Sequence, residues 1–327
     1  MKNDHEWENK NIRKETLEAE KRIRPYIRET PSEYSPYLSK LGNCKVFLKL
    51  ENLQLTGSFK LRGATNKILS LSTKEKEMGV ITASSGNHGM AFSYLIKRFH
   101  LNGTIYLPEN ASQAKIEALR LYEAKLKFHG KDYYETESFS KHEAKRNGKT
   151  FISPYNDIKI IGGQATIGIE LEKQIGDIDA IFVPIGGGGL VSGIAGYLKS
   201  VDRNIEIIGC QPKNSPVMYE SIKAGHIIEM ESKPTLSDGT AGGIEKESLT
   251  FDICKKYVDD YILISEEEIK DAIMLLLQRQ YLLAEGSAAL SVASFIKIKD
   301  RFKNKNVVLI ISGAKISFDK LKEIICN

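Results

Sequence analysis

The chain has 327 residues, 41% hydrophobic and 27% charged, with 47 Lys and Arg against 42 Asp and Glu. This is an ordinary globular composition, long enough for about two domains with a large core, and 26 Gly with 9 Pro exclude collagen-like and proline-rich disordered chains. The net charge of +5 is dispersed, since the densest basic stretch, residues 10–28, is interleaved with Glu15, Glu18 and Glu20; this excludes a nucleic-acid platform, and no apolar run nears the ~20 residues that span a bilayer.

The first dozen residues, MKNDHEWENKNI, are polar and read as a frayed tail. From Thr16 to Ile27, Leu17, Ile23 and Ile27 fall at helical spacing, and Pro25 ends or bends the helix they predict. Strands are then predicted over 46–50, 80–82, 104–107, 125–128, 180–183, 206–209 and 307–311. Helices are predicted over 58–71, 90–99, 111–122, 132–146, from the glycines at 186–189 to Lys199, and over 266–284. Short apolar strands alternating with helices of about 10–15 residues predict parallel sheets covered on both faces by crossover helices. Turn signals at Asn147-Gly148 and Pro154 mark a boundary. Residues 79–153 are expected to form a small domain inserted into a larger one made of 1–78 and 154–327.

Cysteines stand at 44, 210, 254 and 326 without CxxC spacing or a preceding secretory segment, so a reduced, cytoplasmic protein is expected. The six histidines include no HxxxH pair, and no metal site is expected.

Three motifs carry chemistry. Gly186, Gly187, Gly188 and Gly189 follow a hydrophobic strand and open a helix. Their unobstructed N–H groups and the positive helix end suit an anion, a phosphate above all, although the run is neither a dinucleotide fingerprint nor a Walker loop. The run Ser84-Ser85-Gly86-Asn87-His88-Gly89 also lies between strand and helix; its hydroxyls, amide and N–H groups could grip a carboxylate, or serve only as turn chemistry. In Thr56-Gly57-Ser58-Phe59-Lys60-Leu61-Arg62-Gly63-Ala64 a lysine stands beside an aromatic at a helix start, where the dipole disfavours a cation and eases deprotonation. A neutral lysine can condense with a carbonyl.

Taken together and in order, ENLQLTGSFKLRGA (51–64), SSGNHG (84–89), GGQATIGIEL (162–171), GGGGL (186–190) and SGAKIS (312–317) resemble the fold-type II pyridoxal-phosphate enzymes, specifically the serine/threonine dehydratase and serine racemase group. The resemblance covers about residues 16–318. It implies a tryptophan synthase β-like α/β fold of two open, twisted, mostly parallel sheet lobes, with pyridoxal 5′-phosphate as cofactor. By the same resemblance Lys60 holds the cofactor covalently and moves the Cα proton, with Phe59 packed near it. Asn87 bonds the ring hydroxyl, Gly186–Gly189 cradle the phosphate, and Ser312 faces the pyridine nitrogen. Ser84, Ser85 and His88 lie in the loop for the substrate carboxylate, Ser85 where the racemases have their opposite-face acid/base, and Asp238 matches an acid near the substrate.

The implied activity is deamination of a β-hydroxy amino acid, L-threonine or L-serine, to a 2-oxo acid and ammonia, by a homo-oligomer acting on small molecules. A serine-type racemase is the alternative, as is a lyase of hydroxyectoine degradation. The latter stays open because Glu285-Gly286-Ser287-Ala288-Ala289 lacks the usual proline and SGAK replaces SGGN. A β-replacement synthase and a non-catalytic amino-acid sensor are further rivals, the sensor disfavoured by the intact Lys60. Gln211 stands where metal-dependent relatives carry Glu, which argues against a divalent site, because a hard cation wants carboxylate oxygens.

Overall fold

The computed structural model describes residues 2–122, 124–202 and 204–326, with residues 2–10 described by backbone alone. Its strands are β1 (Ser32–Tyr34), β2 (Lys45–Leu50), β3 (Val80–Ala83), β4 (Gly103–Leu107), β5 (Lys125–Phe128), β6 (Thr150–Phe151), β7 (Ala180–Pro184), β8 (Glu206–Pro212), β9 (Asp260–Ile264) and β10 (Asn306–Ile311). The helices are α1 (Lys2–Ile23), α2 (Pro36–Gly42), α3 (Lys60–Leu69), α4 (Thr73–Met78), α5 (Asn87–Arg98), α6 (Gln113–Arg120), α7 (Tyr133–Arg146), α8 (Ile158–Gln174), α9 (Gly189–Val201), α10 (Val217–Ala224), α11 (Leu249–Tyr257), α12 (Glu266–Gln280), α13 (Gly286–Ile298) and α14 (Phe318–Cys326). The tail read as frayed is helical from Lys2, continuous with α1. Pro25 falls in the single 3₁₀ turn, Arg24–Tyr26, that follows it.

The strands form two sheets. A six-stranded sheet runs β1-β2-β10-β7-β8-β9, and a four-stranded sheet, drawn wholly from residues 80–151, runs β5-β4-β3-β6. All pairings are parallel except β1 with β2. Strands β3, β4 and β7 are buried at every residue, as continuous apolar runs sandwiched between helices must be. One face of the large sheet packs Ile181, Val183 and Ile207 against Ala165, Val191 and Ile194. On the other face Leu48, Phe182 and Leu309 meet Ile273, Ala288 and Phe295. The small sheet has its own core, in which Val80, Phe92, Ile105 and Leu119 meet Leu61 and Ile68 of α3. Helix α3 is therefore shared between the two sheets.

Its position is fixed by close backbone approach. A Cβ placed on Gly163 of α8 would lie 2.6 Å from the Cα of Gly63 of α3, so the helices cross at two glycines where any side chain would force them apart. Helix α9 crosses α8 likewise, a Cβ on Gly193 falling 2.6 Å from the Ile161 carbonyl oxygen. No helix among the described residues is long and apolar enough to cross a membrane.

Candidate active site

In parallel sheets the loops after the strand C-termini gather on one side, where α/β proteins bind ligands. Here the segments after β2, β7 and β10 meet there. The loop leading to Lys60 is zipped to the segment after β10: Ser58 bridges Gly313, the Phe59 N–H donates to the Ser312 carbonyl at 3.1 Å, and the Ala314 N–H to the Gly57 carbonyl at 2.9 Å. Lys60 then opens α3. Its Nζ donates to the Pro154 carbonyl at 2.8 Å and lies 5.2 Å from the Phe59 ring centroid. Burial beneath the cleft lowers the Lys60 ammonium from 10.5 to about 8, against the opposing pull of Glu285.

Two residues on, Arg62 is wholly buried and forks onto two carboxylates. It donates to both oxygens of Glu51 at 2.8 and 2.7 Å and to both oxygens of Glu170 at 2.7 Å. Lys49, also fully buried, donates to Glu170 at 2.6 Å, and Arg24 reaches it from outside at 2.8 Å. Every charge in this knot faces an opposite one, the condition under which buried ions are tolerated. The knot ties β2, the residues after it, α3 and α8 together at the base of Lys60.

The residue after Pro154, Tyr155, lies under the glycine loop. Cβ atoms on Gly187 or Gly189 would fall 2.6 or 2.9 Å from Tyr155, and one on Gly186 would fall 2.9 Å from Thr240. Gly188 holds φ +84°, a left-handed conformation natural to glycine. The Thr250 hydroxyl donates to the Gly187 carbonyl at 2.6 Å. The N–H groups of Gly186–Gly189 make no hydrogen bond to another group among the described residues, and they cluster at the positive end of α9. Glycine is thus required on the protein side of the loop, while its donors remain for an anion.

The run Ser84–Gly89 follows β3 and opens α5. The Ser84 Oγ accepts from the Gly86 N–H at 3.3 Å, and a Cβ on Gly86 would meet nothing within 4 Å, so the loop faces open space. Ser85 is half-buried there. The His88 ring instead turns into the protein, with Nε2 3.1 Å from the Ile152 carbonyl; burial, helped by Lys60, pushes its pKa down to about 3, so the ring is neutral. What His88 can offer a ligand is its backbone, not its imidazole. Asn87 reaches across to the other sheet, its Nδ2 donating to both oxygens of Glu285 at 2.9 Å.

Glu285 is the residue that sequence reasoning left out of the site. It is 5% exposed and sits against the segment after β10, a Cβ on Gly313 falling 2.6 Å from its Oε1. Burial raises its carboxyl to about 7, the Asn87 bond and Lys315 opposing that rise and Asp238 adding to it. That the segment Glu285-Gly286-Ser287-Ala288-Ala289 lacks the usual proline was legible; the pairing of Glu285 with a residue 198 positions away was not. Asp238 is exposed at the mouth and pairs with Lys115 of α6 at 3.2 Å. Gln211 is buried, its Oε1 accepting from the Tyr219 N–H at 2.8 Å, so this side chain is committed to the fold.

Four buried polar atoms in this region lack a hydrogen-bond partner among the described residues: Ser58 Oγ, Asn87 Oδ1, Ser312 Oγ and Lys315 Nζ. Orphans at this density are unusual in a finished interior. Together with the free N–H groups of the glycine loop and an amine of lowered basicity, they describe a receptacle for a polar, anionic ligand.

The family model of pyridoxal-phosphate dependent enzymes matches residues 23–313. A catabolic L-threonine dehydratase of Staphylococcus aureus is 41% identical over 312 residues, covering 94% of this chain and 90% of that protein. Among solved structures, the processed form of threonine deaminase isoform 2 from Solanum lycopersicum superposes with TM-score 0.92 at 32% identity, covering 97% of this chain and 87% of that one. Maize serine racemase superposes with TM-score 0.90 at 31% identity, covering 96% of each.

Proposed function

The chain belongs to the pyridoxal-phosphate dependent enzyme family, in its fold-type II serine/threonine dehydratase group, and we propose that it deaminates L-threonine or L-serine to a 2-oxo acid and ammonia. Pyridoxal 5′-phosphate is the cofactor. The observation that carries the reading is Lys60: a lysine of depressed basicity, locked by the Arg62 knot, beside an empty-handed N–H cradle and a row of orphaned polar atoms.

The residues fit the cofactor. Gly186–Gly189 would hold its phosphate through backbone N–H groups, Ser312 its ring nitrogen and Asn87 its ring hydroxyl, with Phe59 packed beside Lys60. When bound, pyridoxal phosphate supplies an aldehyde that amines condense with and a ring that accommodates the electron pair left when the Cα proton departs. Ser312 is a neutral partner for the ring nitrogen, where a carboxylate would keep that nitrogen protonated.

Lys60 serves as the base at Cα. With its pKa near 8, a substantial fraction is neutral at physiological pH, which an ordinary lysine is not. The loop Ser84–His88 holds the substrate carboxylate through Ser84, Ser85 and backbone donors at the α5 N-terminus, so that the Cα–H faces Lys60. Loss of that proton and of the β-hydroxyl as water leaves an enamine, which hydrolyses to the 2-oxo acid and ammonia. Asp238 at the mouth is read as an acid near the substrate.

Residues 79–153 serve in this reading as the small lobe and the rest as the large one. The buried, unpaired Cys44, Cys210 and Cys254 suit the reducing cytoplasm. The exposed Leu53, Leu55, Tyr281 and Leu283, whose two loops are joined by the Asn52 Nδ2–Leu283 carbonyl bond, support the reading of a homo-oligomer.

Borohydride reduction of the holoenzyme followed by peptide mapping is expected to place the cofactor on Lys60, and a panel of amino acids to release 2-oxo acid and ammonia from threonine and serine. An adduct on another lysine, or inertness of every β-hydroxy amino acid with cofactor bound, overturns the reading. A racemase reading draws on the likeness to maize serine racemase and on Ser85 as the second acid/base; accumulation of D-serine in place of ammonia would favour it.

A further inference from the structure

Among the described residues Lys60 Nζ makes one hydrogen bond, to the Pro154 carbonyl at 2.8 Å. A neutral amine that gives a hydrogen to a fixed acceptor has its lone pair turned elsewhere, so the direction of that carbonyl sets where the amine can take up a proton. A carbonyl turns with its whole peptide plane, here the Pro154 C=O together with the Tyr155 N–H. The proline ring fixes φ at Pro154. Rotation about ψ of that residue is therefore the soft motion that would re-aim the plane.

Ser153 holds the far side of that plane. Its Oγ accepts from the Tyr155 N–H at 3.4 Å and from the Asn156 N–H at 3.0 Å, the first long and the second ordinary. One hydroxyl thus grips the peptide by its N–H while its C=O points at Lys60. Ser153 is buried, at 7% exposure. The turn is also anchored at both ends. On one side the Ile152 carbonyl accepts from Thr82 Oγ1 at 2.8 Å and lies 3.1 Å from His88 Nε2. On the other, Asn156 Nδ2 donates to the Glu245 carboxylate and to the Glu247 carbonyl, each at 3.1 Å. Between those anchors Ser153 governs the peptide that meets the amine. The titratable groups that act on Lys60 are Glu285 at the head of α13 and the neutral His88 of α5, and neither is hydrogen-bonded to Ser153 among the described residues.

We propose that Ser153 is a positioning residue: by holding the Tyr155 N–H it aims the Pro154 carbonyl at Lys60, and so turns the lone pair of the free amine toward the proton on the substrate's Cα. A serine that only closed a turn would affect stability and leave the titration of Lys60 alone. The step from Ser153 to Lys60 stands on the hydrogen bonds of the chain itself. The step from Lys60 to turnover rests on the reading of Lys60 as the base at Cα.

Trace labelling of the cofactor-free protein with acetic anhydride across a pH series, read at the Lys60 peptide by mass spectrometry, tests the first step. In Ser153→Ala the ammonium loses its aimed acceptor, so the midpoint of Lys60 labelling is expected to fall by about half a pH unit or more. Ser153→Thr, which keeps the hydroxyl, is expected to restore it. A midpoint that does not fall in Ser153→Ala, or a fall that Thr does not reverse, overturns the proposal. Should Ala disturb the fold, as circular dichroism would show, Ser153→Cys makes the same comparison with a side chain of similar size that accepts weakly. The second step is read in the holoenzyme: kcat for threonine is expected to fall about tenfold in Ser153→Ala with KM held within about twofold, and the pH of half-maximal kcat to move down with the labelling midpoint. Unchanged kcat, or a loss confined to KM, overturns the step from the peptide to turnover. If the unmodified protein deaminated no β-hydroxy amino acid, the proposed activity would fail while the labelling arm still decided whether Ser153 governs Lys60.

Discussion

Replacing Arg62 by Met removes the guanidinium that forks onto Glu51 and Glu170 while filling a similar volume. The loss is one-sided, because both carboxylates stay 1% exposed or less. Glu170 keeps Lys49 at 2.6 Å and Arg24 at 2.8 Å; among the described residues Glu51 keeps the hydrogen bond of the Thr30 hydroxyl, at 2.5 Å, and the more distant charge of Lys49. Stranding a buried charge in this way costs about 3–5 kcal/mol. The acidity of Glu170 reflects the same contacts. Its carboxyl is held down from 4.5 to about 2 against a burial effect that alone would raise it, Arg62 being the largest of the charges responsible. A shift of that size amounts to about 3 kcal/mol of stability. The sign follows from the depression: this contribution is complete above pH about 4.5 and is lost as pH falls toward 2. Thermal and guanidinium denaturation of the cofactor-free protein at pH 7 should therefore show Arg62→Met melting about 10 °C lower, and the gap should narrow in acid, where the unmodified protein loses the same contribution. Arg62→Lys should fall between the two, since an ammonium cannot span both carboxylates. A loss of less than about 1 kcal/mol at pH 7, or a gap that stays constant down to pH 3, would refute the assignment of the knot as a matched set of charges.

Four further outcomes are expected. In Gly187→Ala the new methyl meets the Tyr155 ring, so affinity for pyridoxal phosphate should fall at least tenfold, while the weaker affinity for phosphate-free pyridoxal changes little; equal losses for both in a binding titration would contradict a phosphate role for the loop. The turnover rate should climb with pH, reaching half its plateau near pH 8 and levelling about a unit above, as Lys60 becomes neutral. Because the folded chain disfavours protonated Lys60 relative to the unfolded one, stability of the cofactor-free protein should also increase with pH between about 8 and 10.5, an increase that Lys60→Met should lack. Leu53→Glu combined with Leu283→Glu should lower the mass found by sedimentation equilibrium if the exposed apolar loops pair copies; an unchanged mass removes that surface from consideration.

The fold was legible wherever burial on both faces leaves an apolar run, as in Val80–Ala83 and Ala180–Pro184. It was least legible where close packing overrides propensity. Helix α8 escaped a periodicity reading because Gly162, Gly163 and Gly168 depress helix propensity, yet those glycines are what lets α8 lie against α1, α3 and α9. Strand β1 is three residues long and mostly exposed, and β9 is a half-buried edge, so neither offers a clear alternation. The expected helix over 266–284 stops at Gln280, where Tyr281 takes a left-handed conformation. In the site, the lysine, the glycine loop and the Ser84–Gly89 turn could be picked out because strand, turn and helix follow one another locally. The charge knot and Glu285 could not, because their partners lie far along the chain. The one local sign of the knot is Lys49, a lysine set between Leu48 and Leu50 in β2.

The link between Asn87 and Glu285 joins parts that have no other covalent or sheet continuity at that point. Lys60, the glycine loop and Ser312 are carried by elements of the six-stranded sheet, Asn87 by the first turn after a strand of the four-stranded one. A tilt of one sheet relative to the other would carry the whole Ser84–Gly89 run away from Lys60 and the glycine loop without bending either sheet, and the Asn87–Glu285 bond would be the contact it breaks.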